Sequence, residues 1–308
     1  MSPPPGAGRY APSPSGDLHL GNLRTALLAW LFARTEGRAF LLRIEDMDRV
    51  RPGAEARQLR DLARLGITFD PPAIRQTDRL PAYERALASL SEQGLVYECF
   101  CTRREISEAA SAPHHTLRPD GAYPGTCRTL TPGERAARRT LRPAALRLRV
   151  PEGVVTHTVT DRLAGEVTAM VDDLVLRRND GVYAYNLAVV IDDAFQQVGQ
   201  VVRGDDLLTS APRQAYLAGL LGLPIPEYVH VPLVVAPSGT RLAKRDGAVT
   251  LADLAPHGWT PDRVRSLLAV SLGLAGPGEA VTMEDLAARF DPGGIPREPW
   301  RVDPAALT

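Results

Sequence analysis

The run Arg9-Tyr10-Ala11-Pro12-Ser13-Pro14-Ser15-Gly16-Asp17-Leu18-His19-Leu20-Gly21-Asn22-Leu23-Arg24-Thr25-Ala26 passes from strand to loop to helix. Gly8 to Pro12 reads as a short strand entering a Pro/Ser/Gly loop that ends at His19-Leu20-Gly21-Asn22. Beyond it Leu23, Ala26, Leu27, Trp30 and Leu31 recur on one helical face, and Asn22 suits the N-cap. A helix N-terminus offers unpaired N–H groups and the positive end of a dipole, a combination that binds phosphate. Gly16 and Gly21 let backbone approach a ligand, and His19 adds a side-chain donor. A histidine before a helix is most often an ordinary polar loop residue; the company it keeps gives this one weight.

Working outward, Ala39 to Ile44 reads as a buried strand with Glu45-Asp46 at its carboxyl end, and residues 54–65 and 80–93 as amphipathic helices. Strand–helix–strand alternation predicts an α/β domain with a parallel sheet. At Cys99 the texture changes: residues 99–149 hold ten arginines against four acids, with frequent Pro and Gly. Val167 to Arg177 reads as a strand-turn segment, and Val189-Val190-Ile191-Asp192-Asp193 as a return to the buried sheet. A strand at Gln200–Arg203, a helix at 210–221 and a strand at Val229–Val235 follow. The loop Pro237-Ser238-Gly239-Thr240 then leads into Arg241–Arg245. From Pro261 the apolar period is helical, and the Pro-rich last dozen residues read as a loose tail. The expected organisation is an α/β domain in two parts, 1–98 and 189–258, an insertion at 99–188, and a helical segment with tail at 259–308.

The bulk numbers set limits. A chain of 308 residues that is 44% hydrophobic can bury one large core and a satellite. Basic and acidic residues balance at 36 each, so any attraction to nucleic acid must be local. Met1 to Gly8 resembles neither a signal nor a transit peptide, and no apolar run reaches the length of a membrane span. A cytoplasmic location and no membrane partner are expected. Only one of the 36 basic residues is a lysine, Lys244, which points either to a place that needs a compact, mobile ammonium or to chance survival in an Arg-biased chain. The three cysteines, Cys99, Cys101 and Cys127, cannot form a closed disulfide set. They read either as three unrelated buried thiols or as thiolate donors for one zinc, which wants four ligands, with His114, His115 and Tyr123 as candidates for the fourth.

The opening run resembles the first signature of class I glutamyl-tRNA synthetases, usually His-Ile-Gly-His and here His19-Leu20-Gly21-Asn22. Their second signature, Lys-Met-Ser-Lys-Ser, stands as Arg241-Leu242-Ala243-Lys244-Arg245. Leu41-Leu42-Arg43-Ile44-Glu45-Asp46, Arg75-Gln76-Thr77-Asp78-Arg79, Tyr185 to Asp193 and Val202 to Leu208 are similar to further family segments, so the likeness covers most of residues 8–255. It implies a Rossmann-like class I sheet with a zinc-bearing insertion and a C-terminal helical segment. It implies His19 and Lys244 as catalytic residues, and His19, Gly21, Asn22 and Lys244 at ATP, which brings Mg²⁺. Glutamate is expected to meet Arg9, Tyr10, Ala11, Pro12, Ser13, Glu45, Tyr185 and Arg203. Among these, Glu45 suits the ammonium, Arg9 and Arg203 the carboxylates, and Tyr185 and Ser13 hydrogen bonds. In shortened enzymes of this kind Cys-x-Cys is followed by Tyr-x-x-x-Cys. That spacing implies one structural Zn²⁺ per chain on Cys99, Cys101, Tyr123 and Cys127.

Full-length glutamyl-tRNA synthetases continue past the second signature into large anticodon-binding domains, for which 245–308 leaves no room. The resemblance therefore points to the glutamyl-queuosine tRNA(Asp) synthetases. It implies ATP-dependent activation of L-glutamate and transfer to the queuosine base in the anticodon of tRNA(Asp), by a monomer. Arg103, Arg104, Arg135, Arg138, Arg139 and Arg142 would offer a face to tRNA phosphates; the alternative is a solvated face in an Arg-rich chain. Two other functions stay open: a truncated glutamyl-tRNA synthetase charging a tRNA 3′ end, and an inactive paralogue that only binds RNA or glutamate, suggested by Asn22 and Ala243.

Overall fold

The computed structural model describes residues 6–102, 104–106, 123–152, 155–240 and 249–307. Its main sheet is built from β1 (Ala7–Tyr10), β2 (Phe40–Ile44), β3 (Asp70–Arg75), β6 (Thr156–Asp161), β7 (Gly165–Met170), β9 (Val198–Gly204) and β10 (Glu227–Val231). The order is β3-β2-β1-β9-β10-β6-β7. Every pairing is parallel except β6 with β7. From β1 the chain builds outward to β2 and β3, then returns to β1's other edge with β9 and β10. That reversal is the switch point at which open α/β sheets hold ligands, beyond the carboxyl ends of the strands. At the opposite, amino ends of β1 and β9 two glycines let the backbones touch: a Cβ on Gly199 would lie 2.8 Å from Gly6 Cα, and one on Gly6 would lie 2.7 Å from Gly199 Cα.

A second sheet, antiparallel, joins β4 (Val96–Cys99), β5 (Ala145–Leu148) and β8 (Val175–Arg177). The longer helices among the described residues are α1 (Leu20–Thr35), α2 (Ala54–Arg64), α3 (Leu80–Glu92), α4 (Pro132–Arg139), α5 (Tyr185–Phe195), α6 (Ser210–Leu220), α7 (Pro261–Ser271) and α8 (Met283–Arg289). Helix α1 packs on β1 and β9, close enough that a Cβ on Gly8 would meet Ala33 Cβ at 2.8 Å. Its other side is covered by the C-terminal segment, with Phe32 edge-on to Phe290 at 5.1 Å. Burial on both sides explains why its apolar residues run almost all round. Among the described residues no helix is long and apolar enough to cross a membrane.

The structure departs from the sequence reading in four places. Residues 189–193 are not a strand but the middle of α5. Leu187 to Val190 are all buried, and a short continuous apolar run carries no period that separates a buried strand from a buried helix. The N-cap of α1 is His19, not Asn22, which instead occupies the third helical position of a capping box. The last dozen residues are docked: β12 (Trp300–Arg301) pairs with β11 (Val234–Val235), Val302 is buried, and Trp259 Nε1 donates to Leu307 O at 2.9 Å. Backbone pairing holds this tail, which its proline content concealed. Finally, β6 and β7 lie within 99–188, yet they extend the main sheet through Tyr228 and Asp161.

Candidate active site

A cleft of about 1830 Å³ opens at the carboxyl ends of β1, β2 and β9. Arg9, Tyr10, Ala11, Pro12, Ser13, His19, Gly21, Asn22, Glu45, Tyr185 and Arg203 all line it, so the structure brings together every described residue singled out for glutamate or ATP. Lys244 and the rest of 241–248 lie outside the described residues. The Pro12–Asp17 loop is organised by a residue that the sequence did not flag. Buried Gln58 of α2 donates to Ser13 O at 3.0 Å and Gly16 O at 2.6 Å.

At the mouth of α1, Gly21 N donates to His19 Nδ1 at 3.1 Å and Asn22 N does so at 3.4 Å, while His19 N donates to Asn22 Oδ1 at 3.3 Å. Leu20 N is taken by Val249 O at 3.0 Å. The helix N–H groups expected to meet phosphate are thus already paired. With Nδ1 accepting, the proton of a neutral His19 ring sits on Nε2. A Cβ on Gly21 would lie 3.0 Å from His19 Cε1, so a larger residue there would force the ring to shift by a few tenths of an ångström.

Deeper in, charges interlock. Asp193 Oδ1 accepts from Arg43 Nη1 at 2.7 Å and Arg9 Nε at 3.4 Å, and Arg43 Nη2 lies 3.6 Å from Glu45 Oε1. Arg43 is fully buried. Burial alone would raise the Asp193 carboxyl, but Arg43 and Arg9 outweigh it and hold it below the usual range. Burial wins at Glu45, whose carboxyl stays raised despite Arg43 and Arg9. The neighbouring Asp192 faces away and accepts from Gln76 Nε2, Arg79 Nε and Tyr83 Oη at 3.0, 3.1 and 2.6 Å, tying α5 to α3 and its entry turn.

Arg203, at the end of β9, is 5% exposed. It donates from Nε to His230 Nε2 (2.9 Å), from Nη1 to Gln214 Oε1 (2.8 Å) and Tyr185 Oη (3.4 Å), and from Nη2 to Leu207 O (3.3 Å). These partners are all uncharged, whereas Arg9 is partly neutralised by Asp193. Arg203 therefore keeps its charge for an anion in the cleft. His230 was passed over inside an apolar strand run; a titratable residue amid buried valines was the available signal.

The cysteines cluster at the end of β4, and Cys101 and Tyr123 line the same cleft. Their Sγ atoms lie within 4.8 Å of one another. Tyr123 Oη is 3.3 Å from Cys99 Sγ and 3.7 Å from Cys101 Sγ, and Cys101 Sγ is 3.5 Å from Cys127 Sγ. Ligands about 2.3 Å from a tetrahedral ion stand roughly 3.8 Å apart, so this donor set has the spacing to hold one metal ion. Cys127 N donates to Tyr123 Oη at 2.9 Å, and the Arg147 guanidinium lies 3.8 Å over the tyrosine ring. The Cys127 N–H favours negative charge on that oxygen, but burial and the hydrogen bonds with Cys99 and Cys101 outweigh it and push the Tyr123 hydroxyl above its ordinary value. Burial pushes the Cys101 thiol up to about 12. Burial also raises Cys127, but the hydrogen bond from Phe100 N and those of Tyr123, Cys101 and Cys99 bring it below its ordinary value. His114 and His115 lie outside the described residues.

The chain matches the family described as tRNA synthetases class I (E and Q), catalytic domain, over residues 7–307. It is 62% identical over 296 residues to a Glutamyl-Q tRNA(Asp) synthetase of Nocardia farcinica, covering 96% of this chain and 92% of that protein. The chain belongs to the glutamyl-Q tRNA(Asp) synthetase family. Another member, from Cutibacterium acnes, is 50% identical over 309 residues, spanning 98% of this chain and 85% of its own length. In structure the chain is similar to a glutamate tRNA ligase from Elizabethkingia meningosepticum solved in complex with its amino acid. The TM-score is 0.79 at 28% identity, over 97% of this chain and 67% of that one.

Not all of the arginine-rich face is available to a phosphate backbone. Arg139 is paired with Glu98 at 2.6 Å and Arg142 with Glu105 at 3.2 Å. Arg104 and Arg138 are exposed, Arg135 on α4 is half-buried, and Arg103 lies outside the described residues. The placement of β6 and β7 in the main sheet brings Asp161 against His230, one of the partners of Arg203.

Proposed function

We propose that the protein activates L-glutamate with ATP to glutamyl-adenylate and transfers the glutamyl group to the queuosine base of tRNA(Asp). The observation that carries this reading is Arg203, a buried guanidinium with uncharged partners, facing a cleft whose other wall bears Glu45. Such a cleft suits an amino acid with a second carboxylate. Glu45 pairs with its ammonium, and Arg203 and Tyr185 receive the side-chain carboxylate. Arg9, shared with Asp193, completes the positive wall. Tyr10, Ala11, Pro12 and Ser13 shape the floor. A neutral amide in place of that carboxylate leaves Arg203 unmatched, which disfavours glutamine.

Activation is in-line attack of the α-carboxylate on the α-phosphate: an O–P bond forms, the bond to pyrophosphate breaks, and pyrophosphate departs. His19 Nε2–H and the positive end of α1 stand where the phosphates enter, with Gly21 and Asn22 keeping the ring in place. Lys244 supplies charge to the leaving pyrophosphate, and Mg²⁺ accompanies ATP. In transfer, a hydroxyl of the acceptor attacks the acyl carbon and AMP leaves. Zinc on Cys99, Cys101, Tyr123 and Cys127 is structural, holding the ends of residues 99–127 together. We place the enzyme, as a monomer, in the cytoplasm. The names of the relatives favour queuosine over a tRNA 3′ end, and the assembled glutamate pocket speaks against an inactive paralogue. Glutamylation of tRNA(Asp) with and without queuosine tests the reading: labelling confined to the queuosine form is expected, and equal labelling of both forms overturns the acceptor assignment. ATP–pyrophosphate exchange without tRNA tests activation separately.

A further inference from the structure

We infer that His230 and Asp161 are positioning residues that lock the Arg203 guanidinium in one orientation and thereby set the preference for glutamate over glutamine. The inference rests on the reading of Arg203 as the partner of the substrate's side-chain carboxylate. It starts from a hydrogen-bond chain in which every direction is determined. Arg203 Nε can only donate, so His230 Nε2, at 2.9 Å, must accept. The ring proton then sits on Nδ1 and is donated to Asp161 Oδ2 at 2.7 Å. Asp161 is pinned in turn, because His230 N donates to the same Oδ2 at 3.0 Å while Leu163 N and Ala164 N donate to Oδ1 at 2.9 and 2.8 Å. The side chains of His230 and Asp161 have no exposure to solvent. The histidine is kept neutral by burial and by Arg203, and the hydrogen bonds to Asp161 keep that carboxyl ionised despite its burial.

The arrangement fixes which N–H groups of Arg203 are spent. Gln214, itself oriented by its Nε2 donating to Asn186 Oδ1 at 3.0 Å, accepts from Nη1, as does Tyr185 Oη; Leu207 O accepts from Nη2. One Nη2 N–H is left for a ligand, next to the hydroxyl hydrogen of Tyr185. Two convergent donors match a carboxylate, whereas the NH₂ of an amide would face one of them donor to donor. A guanidinium free to swing could turn to meet an amide oxygen alone and would discriminate less. Because Asp161 ends β6, the specificity device reaches the pocket through the strands that extend the main sheet.

The test is ATP–pyrophosphate exchange on the whole enzyme, with glutamate and with glutamine, for His230→Ala, His230→Gln, Asp161→Asn and Arg203→Ala. His230→Ala should raise the glutamate KM roughly 10- to 100-fold, as for loss of one hydrogen bond to a charged group. It should narrow the glutamate-to-glutamine ratio and leave the ATP KM unchanged. His230→Gln, with an amide oxygen toward Arg203 and an amide N–H toward Asp161, should recover most of the loss, and Asp161→Asn should fall between. A merely structural role would move both KM values together and would not be rescued by Gln. Should Arg203→Ala raise the glutamate KM while His230→Ala changes neither that KM nor the ratio, the positioning role is wrong and the substrate assignment stands. Should Arg203→Ala leave the glutamate KM unchanged, the assignment of the pocket fails first. If a His230→Ala protein melts early, the decision passes to His230→Gln: wild-type melting with no recovery of the glutamate KM overturns the inference.

Discussion

Replacing Asp193 by Asn keeps the shape of the side chain and removes one charge from beneath the cleft. Arg43, with no exposure, would then rely on Glu45 at 3.6 Å, a carboxyl that burial already raises. A unit-charge pair near 4 Å is worth about 4 kcal/mol at an effective dielectric of 20. The Arg43–Asp193 contact at 2.7 Å is at least that strong, and Arg9 at 3.4 Å adds to it. Relief of the carboxylate's own burial offsets part of the loss, and the amide oxygen of the replacement still accepts from Arg43. A net cost of about 3 kcal/mol is therefore expected, at the low end for orphaning a buried charge. In a chain of this size that lowers Tm by about 5 °C. Thermal unfolding followed by circular dichroism measures it, and a cycle with Arg43→Met tests the cause. If the cost comes from an unpaired Arg43, the double variant is less destabilised than the sum of the singles by about 2 kcal/mol. Strict additivity, or a Tm within about 1 °C of the parent when the expected shift is several degrees, would refute the reasoning.

Other perturbations bear on the remaining parts of the site. Lys244→Ala should leave the fold intact and slow glutamate-dependent pyrophosphate exchange by about 10²–10³-fold, the usual loss of one transition-state donor; unchanged exchange removes Lys244 from the mechanism. Metal analysis should find about one zinc per chain, and Cys127→Ser or chelation should impair transfer to tRNA more than adenylate formation; zinc-free protein with full transfer activity sinks the metal site. Because Glu45 is raised in the free protein and a bound ammonium would lower it, glutamate binding should release protons at pH values above the ordinary glutamic acid range. Affinity then strengthens as pH rises through that window. Titration calorimetry across it checks the sign, and Glu45→Gln should flatten the profile.

The sequence announced the parallel sheet and the cleft because the responsible residues are local: a strand, a glycine-containing loop and a helix start all lie within 8–31. The residues that orient the binding groups were not legible, since each becomes informative only by contact with something distant. Gln58 looks like any polar residue on α2 until it meets Ser13 O and Gly16 O. Asp193 follows Asp192 in sequence, yet one closes the charge network of the cleft and the other ties α5 to α3, a division that becomes visible only once the segment is helical. His19 shows the limit from the other side: the residue was identified, but its ring caps the very N–H groups that its position suggested were open.

The short seam between β11 and β12 has a temporal meaning. Trp300 N donates to Leu233 O and Val302 N to Val235 O, both at 2.9 Å, and Arg301 Nη1 reaches Pro237 O at 2.9 Å, at the start of the loop that leads to Lys244. Pairing two residues of each strand across so long an intervening stretch requires a large loop to close for little local return. Such contacts form late and open first. The amides of Val302 and Trp300 should exchange with deuterium well before those of β1 and β9, as expected if the approach to the Lys244 loop sets late in folding and opens early.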